Sequence, residues 1–348
     1  MSEMRLEPIE GSRLWTAADF GRDPSVTHLS PAHLEEIDDA LRAIQARGLN
    51  WGGFARSDFP LPETTALITQ TREELVSGRG YSLLRGLPAD RYTQEELEII
   101  YYGLGLHMGV VVSQNGRGDV LTHVTDHGFA PGNPNVRGYQ DRRSQPPHAD
   151  PTDVVALLCI RKARQGGISS IVNVAAMYNA MLSECPEHLP ALYRGFHMDL
   201  RGEGSAADDT SGTTRHRIPV FSYHRETLSS WFARRVFESA AAKRGEPLSA
   251  AESAALDAFE ALSQRPDFTA RMDLEPGDIQ WVNNYAVLHA RTAFEDFPEP
   301  ERRRLMVRLW LNLPEQELAS DFARLIRRGI PRSDSGKLGA ELAATSAH

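Results

Sequence analysis

From residue 110 to residue 313, the chain is a series of short apolar segments separated by turn signals. Residues 154–160 and 305–313 have the length and composition of β-strands, and turns containing Gly, Pro, Asn or Asp fall between such segments. Many short strands punctuated in this way are typical of sandwiches and barrels. We therefore predict a mainly β fold with surrounding helices, built on a double-stranded β-helix (a cupin-like jelly roll).

The first hundred residues have mostly helical patterns. Ser30 before Pro31 is a helix start, with a hydroxyl N-cap and a proline at the first helical position. Thr93 with Glu96 forms the capping-box pattern of a further helix. We predict one domain over residues 1–332, with a helical layer at about 30–108, a jelly-roll core at about 110–313 and a helical insert at about 230–263. Residues 333–348 are predicted to be a flexible tail.

Charge and cysteine content limit the partners. The net charge of −9 at pH 7 argues against nucleic acid or an anionic membrane as the main partner. Two cysteines provide neither a disulfide framework nor the spacing of a zinc cluster. No apolar signal segment and no stretch of 18 apolar residues occur. We expect a cytoplasmic protein that acts on a small molecule, with a homo-oligomer left open.

A candidate metal site begins with His148 and Asp150, just before the apolar segment 154–160. Side chains two residues apart in an extended chain project to the same face. A converging imidazole and carboxylate are two of the three ligands in the facial triad that holds non-haem Fe(II). Alone, this pair is a weak signal, because it occurs by chance in many chains.

His289 is the candidate for the third ligand. It ends a short apolar segment that follows the turn at Gly277 and Asp278. The chain has twelve histidines, and a single one is more often a packed or solvated residue than a ligand. Its place in the predicted jelly roll favours a ligand, because a pair on one strand and a distant histidine on another would complete the triad.

Arginines alternate with apolar residues in the last predicted strand. In an extended chain one face of it carries Arg304, Met306, Arg308 and Trp310. Charged residues are mostly solvated, but the apolar residues on both faces indicate a strand buried on both sides. A buried arginine needs an anion, and its planar fork fits a carboxylate. The distal carboxylate of 2-oxoglutarate beside an iron site would meet that need.

Together these motifs resemble the TauD/TfdA family of Fe(II)- and 2-oxoglutarate-dependent oxygenases. The resemblance extends from about residue 81 to residue 313 and is carried by Gly80-Tyr81 with Leu84-Arg85-Gly86-Leu87-Pro88, His148-x-Asp150, Gly166-Gly167-x-Ser169, Asn284-x-x-x-x-His289 and Arg304-x-x-x-Arg308. It implies that His148, Asp150 and His289 bind Fe(II), with 2-oxoglutarate and O2 as co-substrates.

The same resemblance assigns the co-substrate site and the outcome of the reaction. It implies that Ser169 and Arg304 hold the distal carboxylate of 2-oxoglutarate, and that Arg308 serves 2-oxoglutarate or a substrate anion. Halogenating relatives have a small residue in place of the carboxylate of Asp150. The expected outcome is therefore hydroxylation or another C–H oxidation, such as desaturation or cyclisation.

The loops before His148 contain most of the candidate substrate residues. Residues 126–147 are rich in Gly, Pro, Asn and Arg, which is typical of a functional loop at the mouth of a site. The candidates are Gln114, Asn115, Arg117, His123, Arg137, Tyr139 and Arg142, together with Arg308. The arginines among them would suit a small anionic substrate, such as an amino acid or a natural-product intermediate.

The residues alone leave two alternatives open. One is a cupin-like metal-binding or sensing module without turnover. The other is a jelly-roll isomerase or hydrolase that uses its metal as a Lewis acid. Ser169 and the arginine-bearing strand favour the oxygenase over both.

Overall fold

The computed structural model describes residues 4–129, 138–202, 211–319, 322, 327, 329 and 330, and the predicted tail at 333–348 lies outside them. The α-helices are α1 (Ala17–Arg22), α2 (Pro31–Ala46), α3 (Thr64–Val76), α4 (Gln94–Met108), α5 (Val174–Glu184), α6 (Leu189–Arg194), α7 (Arg234–Arg244) and α8 (Ala250–Ser263). Within these described ranges, no helix is long and apolar enough to cross a membrane.

The strands are β1 (Val26–His28), β2 (Tyr81–Arg85), β3 (Val110–Val111), β4 (Leu121–Val124), β5 (Gln145–His148), β6 (Val154–Arg161), β7 (Gln165–Gly166), β8 (Ser169–Asn173), β9 (Phe221–His224), β10 (Thr227–Ser230), β11 (Thr269–Met272), β12 (Ile279–Asn283), β13 (Val287–Arg291), β14 (Phe294–Glu295) and β15 (Leu305–Asn312). Helices and sheets are therefore mixed, as the sequence predicts.

The larger sheet has seven strands. Its order is β1-β2-β12-β6-β15-β3, and β4 also pairs with β15. The central strand β6 pairs antiparallel with both β12 and β15. Its nearly continuous apolar sequence suits this place, because a strand in the middle of a covered sheet is buried on both faces.

The smaller sheet has four antiparallel strands in the order β11-β8-β13-β5. Strand β13 lies between β8 and β5, so its residues have neighbours on both sides. His289 on β13 lies directly opposite His148 on β5. The smaller sheet therefore carries two of the three predicted metal ligands.

The two sheets share one hydrophobic core. It contains side chains from the larger sheet, such as Val155, Cys159 and Trp310, packed with Ile171 and Val287 from the smaller one. Because side chains alternate along a strand, the neighbouring residues of each strand point outward. Their apolar members are covered by helices, with α2, α3 and α4 against the larger sheet and α5 to α8 against the smaller one.

The predicted helix starts are confirmed, but the first hundred residues also contain a short strand, β1, that the sequence does not predict. The Ser30 side chain accepts a hydrogen bond from the His33 backbone N–H, and Thr93 and Glu96 form a reciprocal capping box. However, β2 pairs with β12 in the larger sheet, and β1 extends that sheet as a parallel neighbour of β2. The sequence gives no period for β1, because its three residues show no full alternation.

Candidate metal centre

Three side chains from the two histidine-bearing strands and the turn after β5 converge on one point. His148, Asp150 and His289 each offer a ligand atom, and these atoms lie within 4.8 Å of one another. The two imidazole rings have centroids 4.3 Å apart, and Nε2 of His289 is 3.8 Å from Oδ2 of Asp150. Two imidazoles and one carboxylate are the donor set of a facial triad.

Asp150 lies outside the strand that carries His148, and the side chains of the two residues converge as the sequence predicts. Strand β5 ends at His148, and Asp150 lies in the turn beyond it. The side chain of Asn284 holds this turn: its Oδ1 accepts from the Asp150 backbone N–H at 3.1 Å, and its Nδ2 donates to the Thr152 carbonyl at 3.0 Å. The two hydrogen bonds that Asn284 makes to this turn therefore explain its presence in the predicted motif.

Both histidines are uncharged at neutral pH. The Pro146 carbonyl accepts from Nδ1 of His148 at 2.9 Å, so Nε2 of that ring keeps its lone pair. Removal from water lowers the pKa of His148, and burial together with the neighbouring His148 lowers the pKa of His289 to about 3. Among the described residues, the buried Nδ1 of His289 has no hydrogen-bond partner. Neutral imidazoles and a polar atom without a protein partner fit a site that is completed by a metal.

Asp150 is held as an oriented carboxylate. Its Oδ2 accepts from Nε1 of Trp310 at 2.9 Å and from Nη1 of Arg308 at 3.0 Å. Burial alone would raise the pKa of Asp150, but the charge of Arg308 and the hydrogen bond from Trp310 hold it below its ordinary value. Second-sphere donors of this kind fix a ligating carboxylate and tune its metal affinity.

Arg308 contacts the candidate ligand Asp150 and is itself held in place by Gln114. Its Nε donates to Oε1 of Gln114 at 2.7 Å, and Nε2 of Gln114 donates back to the Arg308 carbonyl at 2.9 Å. The guanidinium carbon lies 5.2 Å from the centroid of the Tyr139 ring. The predicted contact of Arg308 with 2-oxoglutarate or substrate stays a prediction; the contact that the structure contains is the one with Asp150.

Ser169 and Arg304 are both buried between the sheets. Arg304 is 3% exposed and donates to the Val124 carbonyl at 3.3 Å, while the Ser169 hydroxyl donates to Oε1 of Gln280 at 2.9 Å. Burial lowers the pKa of Arg304 to about 10, so it is still a cation at neutral pH. Arg304 lies immediately before β15, and a buried cation there is suited to bind the carboxylate of a bound anion.

A cavity of about 650 Å³ opens beside the metal centre. His148, Asp150 and Trp310 lie on its wall, and five arginines surround the space: Arg143, Arg201, Arg234, Arg235 and Arg308. This volume is within the range of small-molecule sites. Arg234 is neutralised by three carboxylates, those of Glu238, Asp257 and Glu260, at 2.7–2.8 Å.

The predicted substrate residues divide into two groups. Tyr139 and Arg308 lie on the cavity wall, and Gln114 supports Arg308 from behind. Four others do not border the cavity, namely Asn115, Arg117, His123 and Arg142. Arg137 lies outside the described residues.

The positions of those four residues follow from local contacts. Asn115 and Arg117 bind Asp119 and build a turn, with Asn115 Nδ2 at 2.8 Å from the carboxylate. The His123 side chain points to α4, and its Nε2 lies 2.8 Å from Oε1 of Glu98 on that helix. The Arg142 side chain is 67% exposed. Sequence proximity to His148 was therefore a poor guide to the cavity wall.

Sequence reasoning missed the arginines that other segments bring to the cavity. Arg234 and Arg235 begin α7, more than eighty residues after His148, and Arg201 lies in another distant segment. The predicted helical insert was the available signal, since an insert between core strands must pack somewhere against the sheets. Nothing in its sequence shows where.

The family model described as "Taurine catabolism dioxygenase TauD, TfdA family" matches residues 26–310. The chain belongs to this family. The resemblance inferred from the motifs is thereby confirmed, and the chain is an Fe(II)- and 2-oxoglutarate-dependent oxygenase. The metal-module and Lewis-acid alternatives are set aside.

Similar proteins support the same class. FR-33289 synthase of Streptomyces rubellomurinus is 34% identical over 318 residues, covering 90% of this chain and 93% of that protein. A taurine hydroxylase-like protein of Stachybotrys chartarum is 26% identical, over 85% of this chain and 77% of its own. A solved asparagine oxygenase, in complex with Fe(II), a hydroxyasparagine and succinate, has a similar fold, with a TM-score of 0.63, 16% identity and coverage of 82% and 93%.

Proposed function

We propose that this oxygenase hydroxylates a C–H bond of a small anionic molecule, such as an amino acid or a natural-product intermediate. The observation that carries the proposal is the cavity of about 650 Å³ that reaches His148 and Asp150 and has Arg235 on its wall. Arg235 is exposed and, among the described residues, has no carboxylate partner, unlike Arg234 beside it. An exposed arginine facing a cavity is suited to a carboxylate, sulfonate or phosphate.

Within this function, we propose that His148, Asp150 and His289 hold Fe(II) and that Arg304 and Ser169 hold the distal carboxylate of 2-oxoglutarate. Iron bound there, with 2-oxoglutarate and O2, supplies the oxidation of the substrate C–H bond, and succinate and CO2 are the co-products. The protein contributes orientation: Trp310 and Arg308 fix the ligating carboxylate, and the cavity wall positions the substrate beside it.

The proposed core geometry is the double-stranded β-helix. It is supported by two facing sheets with one shared core and by the fold similarity to a solved oxygenase. A variant of the iron oxygenase OrfP, solved in complex with a hydroxy-arginine, has a similar fold, with 12% identity and a TM-score of 0.61. Such relatives support an amino-acid-like substrate for this chain.

A paired substrate screen tests the proposed class. The protein would be incubated with Fe(II), 2-oxoglutarate, ascorbate and O2, together with carboxylates, sulfonates and phosphates and their neutral amides or esters. We expect the anionic member of a pair to gain one oxygen atom by mass spectrometry, or to lose two hydrogen atoms if the outcome is desaturation. Turnover of neutral hydrophobic compounds alone would overturn the proposal.

A variant links the expected preference to the cavity. Arg235→Gln should raise the KM of an anionic substrate roughly tenfold or more, since it removes a charge-assisted hydrogen bond. Arg194→Gln is the matched control, because Arg194 is an exposed arginine on α6 away from the cavity wall. An unchanged KM in the Arg235 variant would place the substrate anion elsewhere.

A further inference from the structure

We infer that Arg291 is a second arginine for the distal carboxylate of 2-oxoglutarate and binds it together with Arg304. This inference rests on the proposed function, in which Arg304 and Ser169 hold that carboxylate. It adds a residue from the smaller sheet to a site whose other arginine, Arg304, lies immediately before β15 of the larger sheet.

The first support is the burial of Arg291 with nitrogen atoms that lack partners. The residue is 8% exposed, and its Nη2 donates to the Asp141 carbonyl at 2.6 Å and to the Arg143 carbonyl. Its Nε and Nη1 are buried and, within the part of the chain that the structure describes, have no hydrogen-bond partner. Unpaired buried donors on a cation are costly, so these nitrogens need an acceptor, ideally an anion.

The second support is the register of the smaller sheet. Arg291 on β13 lies directly opposite Ser169 on β8, and His289 lies opposite Ile171 in the same pair of strands. Opposite residues in an antiparallel pair project to the same face, as do residues two apart along one strand. Arg291 therefore lies in the row that carries Ser169 and the metal ligand His289, facing the core between the sheets.

The third support is the position of Arg291 relative to Arg304. The guanidinium carbon of Arg291 lies 4.9 Å from the centroid of the Phe294 ring, and that of Arg304 lies 5.0 Å from the same centroid. The ring attracts both cations, but two like charges held at one aromatic ring in a buried region repel each other. A carboxylate bound between them would relieve this repulsion and accept from both.

A purely structural role explains only part of these contacts. The two carbonyl bonds fasten the loop around Asp141 and Arg143, and both use a single nitrogen, Nη2. A guanidinium has five N–H donors, and its forked geometry is of most use with a carboxylate. The loop contact therefore leaves the other two nitrogens of Arg291 unexplained, and the carboxylate accounts for them.

The test compares 2-oxoglutarate with 2-oxovalerate, in which a methyl group replaces the distal carboxylate. Both bind the metal through the same 2-oxo acid end. Affinities would be measured by calorimetry on the Fe(II)-loaded full chain without O2, for the wild type, Arg291→Gln, Arg291→Lys and Arg304→Gln. The matched control is Arg302→Gln, because the Arg302 side chain is 54% exposed.

Arg291→Gln should weaken 2-oxoglutarate binding roughly tenfold to a hundredfold while changing 2-oxovalerate binding little. Arg291→Lys should recover part of the lost affinity, and Arg302→Gln should bind 2-oxoglutarate as tightly as the wild type does. Equal losses for both ligands would show a loop-fastening role and overturn the inference, as would unchanged 2-oxoglutarate binding. Failure of the proposed function has a separate signature: the wild type itself would not prefer 2-oxoglutarate to 2-oxovalerate.

Discussion

The carboxylate of Asp150 owes its orientation to a single strand. Trp310 and Arg308 are two residues apart on β15, and both donate to the same oxygen, Oδ2. Two hydrogen bonds to one oxygen restrict the orientation of the carboxylate, so they limit the geometry in which it can bind a metal. The indole adds this constraint without adding charge, which makes its contribution separable from that of the arginine.

Removing the indole donor should therefore weaken metal binding. We expect Trp310→Phe to lower the Fe(II) affinity by about tenfold to a hundredfold, the usual effect of losing an outer-shell partner. Anaerobic calorimetry measures it. Trp51→Phe is the matched control, because Trp51 loses an equivalent bond, at 3.1 Å to Glu98, and neither residue borders the cavity. Equal Fe(II) affinity in Trp310→Phe and wild type would mean that the indole has no part in positioning Asp150.

At this scale, residue type and order were enough to find the three candidate ligands and the burial of Arg304 and Arg308. They were not enough for Trp310 or Arg291. The partners of these two side chains lie on other strands or in loops more than a hundred residues away. Such contacts depend on how the sheets face each other, which no local pattern contains.

The turn that leads into β12 depends on a close backbone approach. Gly277 has φ +92, and a Cβ added there would lie 1.9 Å from the Leu87 carbonyl oxygen. Its N–H also donates to the Cys159 carbonyl at 2.8 Å. A side chain at this position would therefore meet both an unfavourable φ and a backbone atom that cannot rotate away.

We expect Gly277→Ala to lower the free energy of unfolding by about 2–4 kcal/mol, from left-handed strain plus overpacking. Gly245→Ala isolates the first effect, because Gly245 has φ +65 with nothing within 4 Å of its added Cβ. The free energy of unfolding of that control should fall by about 1 kcal/mol. Urea unfolding of both variants measures the difference, and equal losses would mean that the backbone at Leu87 yields freely.

Elements whose signals lie within a few residues were the predictable ones. The helix starts at Ser30 and Thr93 depend on side chains three residues apart, and both are confirmed. Strand β1 and the turn at Asp150 depend on distant partners, β2 for the first and Asn284 for the second. Because those partners are distant along the chain, neither feature could be derived from the sequence.

At the scale of the whole molecule, the candidate metal centre lies where the larger and the smaller sheet face each other. Two candidate ligands come from the smaller sheet, whereas Trp310 and Arg308 reach the site from β15 of the larger one, and Arg304 lies immediately before that strand. The start of α7, in the helical insert, forms part of the cavity wall. The oxygenase class was predictable because its motifs keep their order along the chain. The cavity wall was not, because it is assembled from segments whose packing is global.

Conversion of 2-oxoglutarate to succinate is the most direct test of the triad. It would be measured with Fe(II), ascorbate and O2 in the wild type, in His148→Ala, Asp150→Ala and His289→Ala, and in His28→Ala, a control at an exposed strand residue. We predict that the wild type and the control form succinate equally, and that each triad variant loses more than about a hundredfold, beyond the effect of an outer-shell change. Succinate formation at the wild-type rate in His148→Ala or Asp150→Ala would contradict the assignment of the iron site.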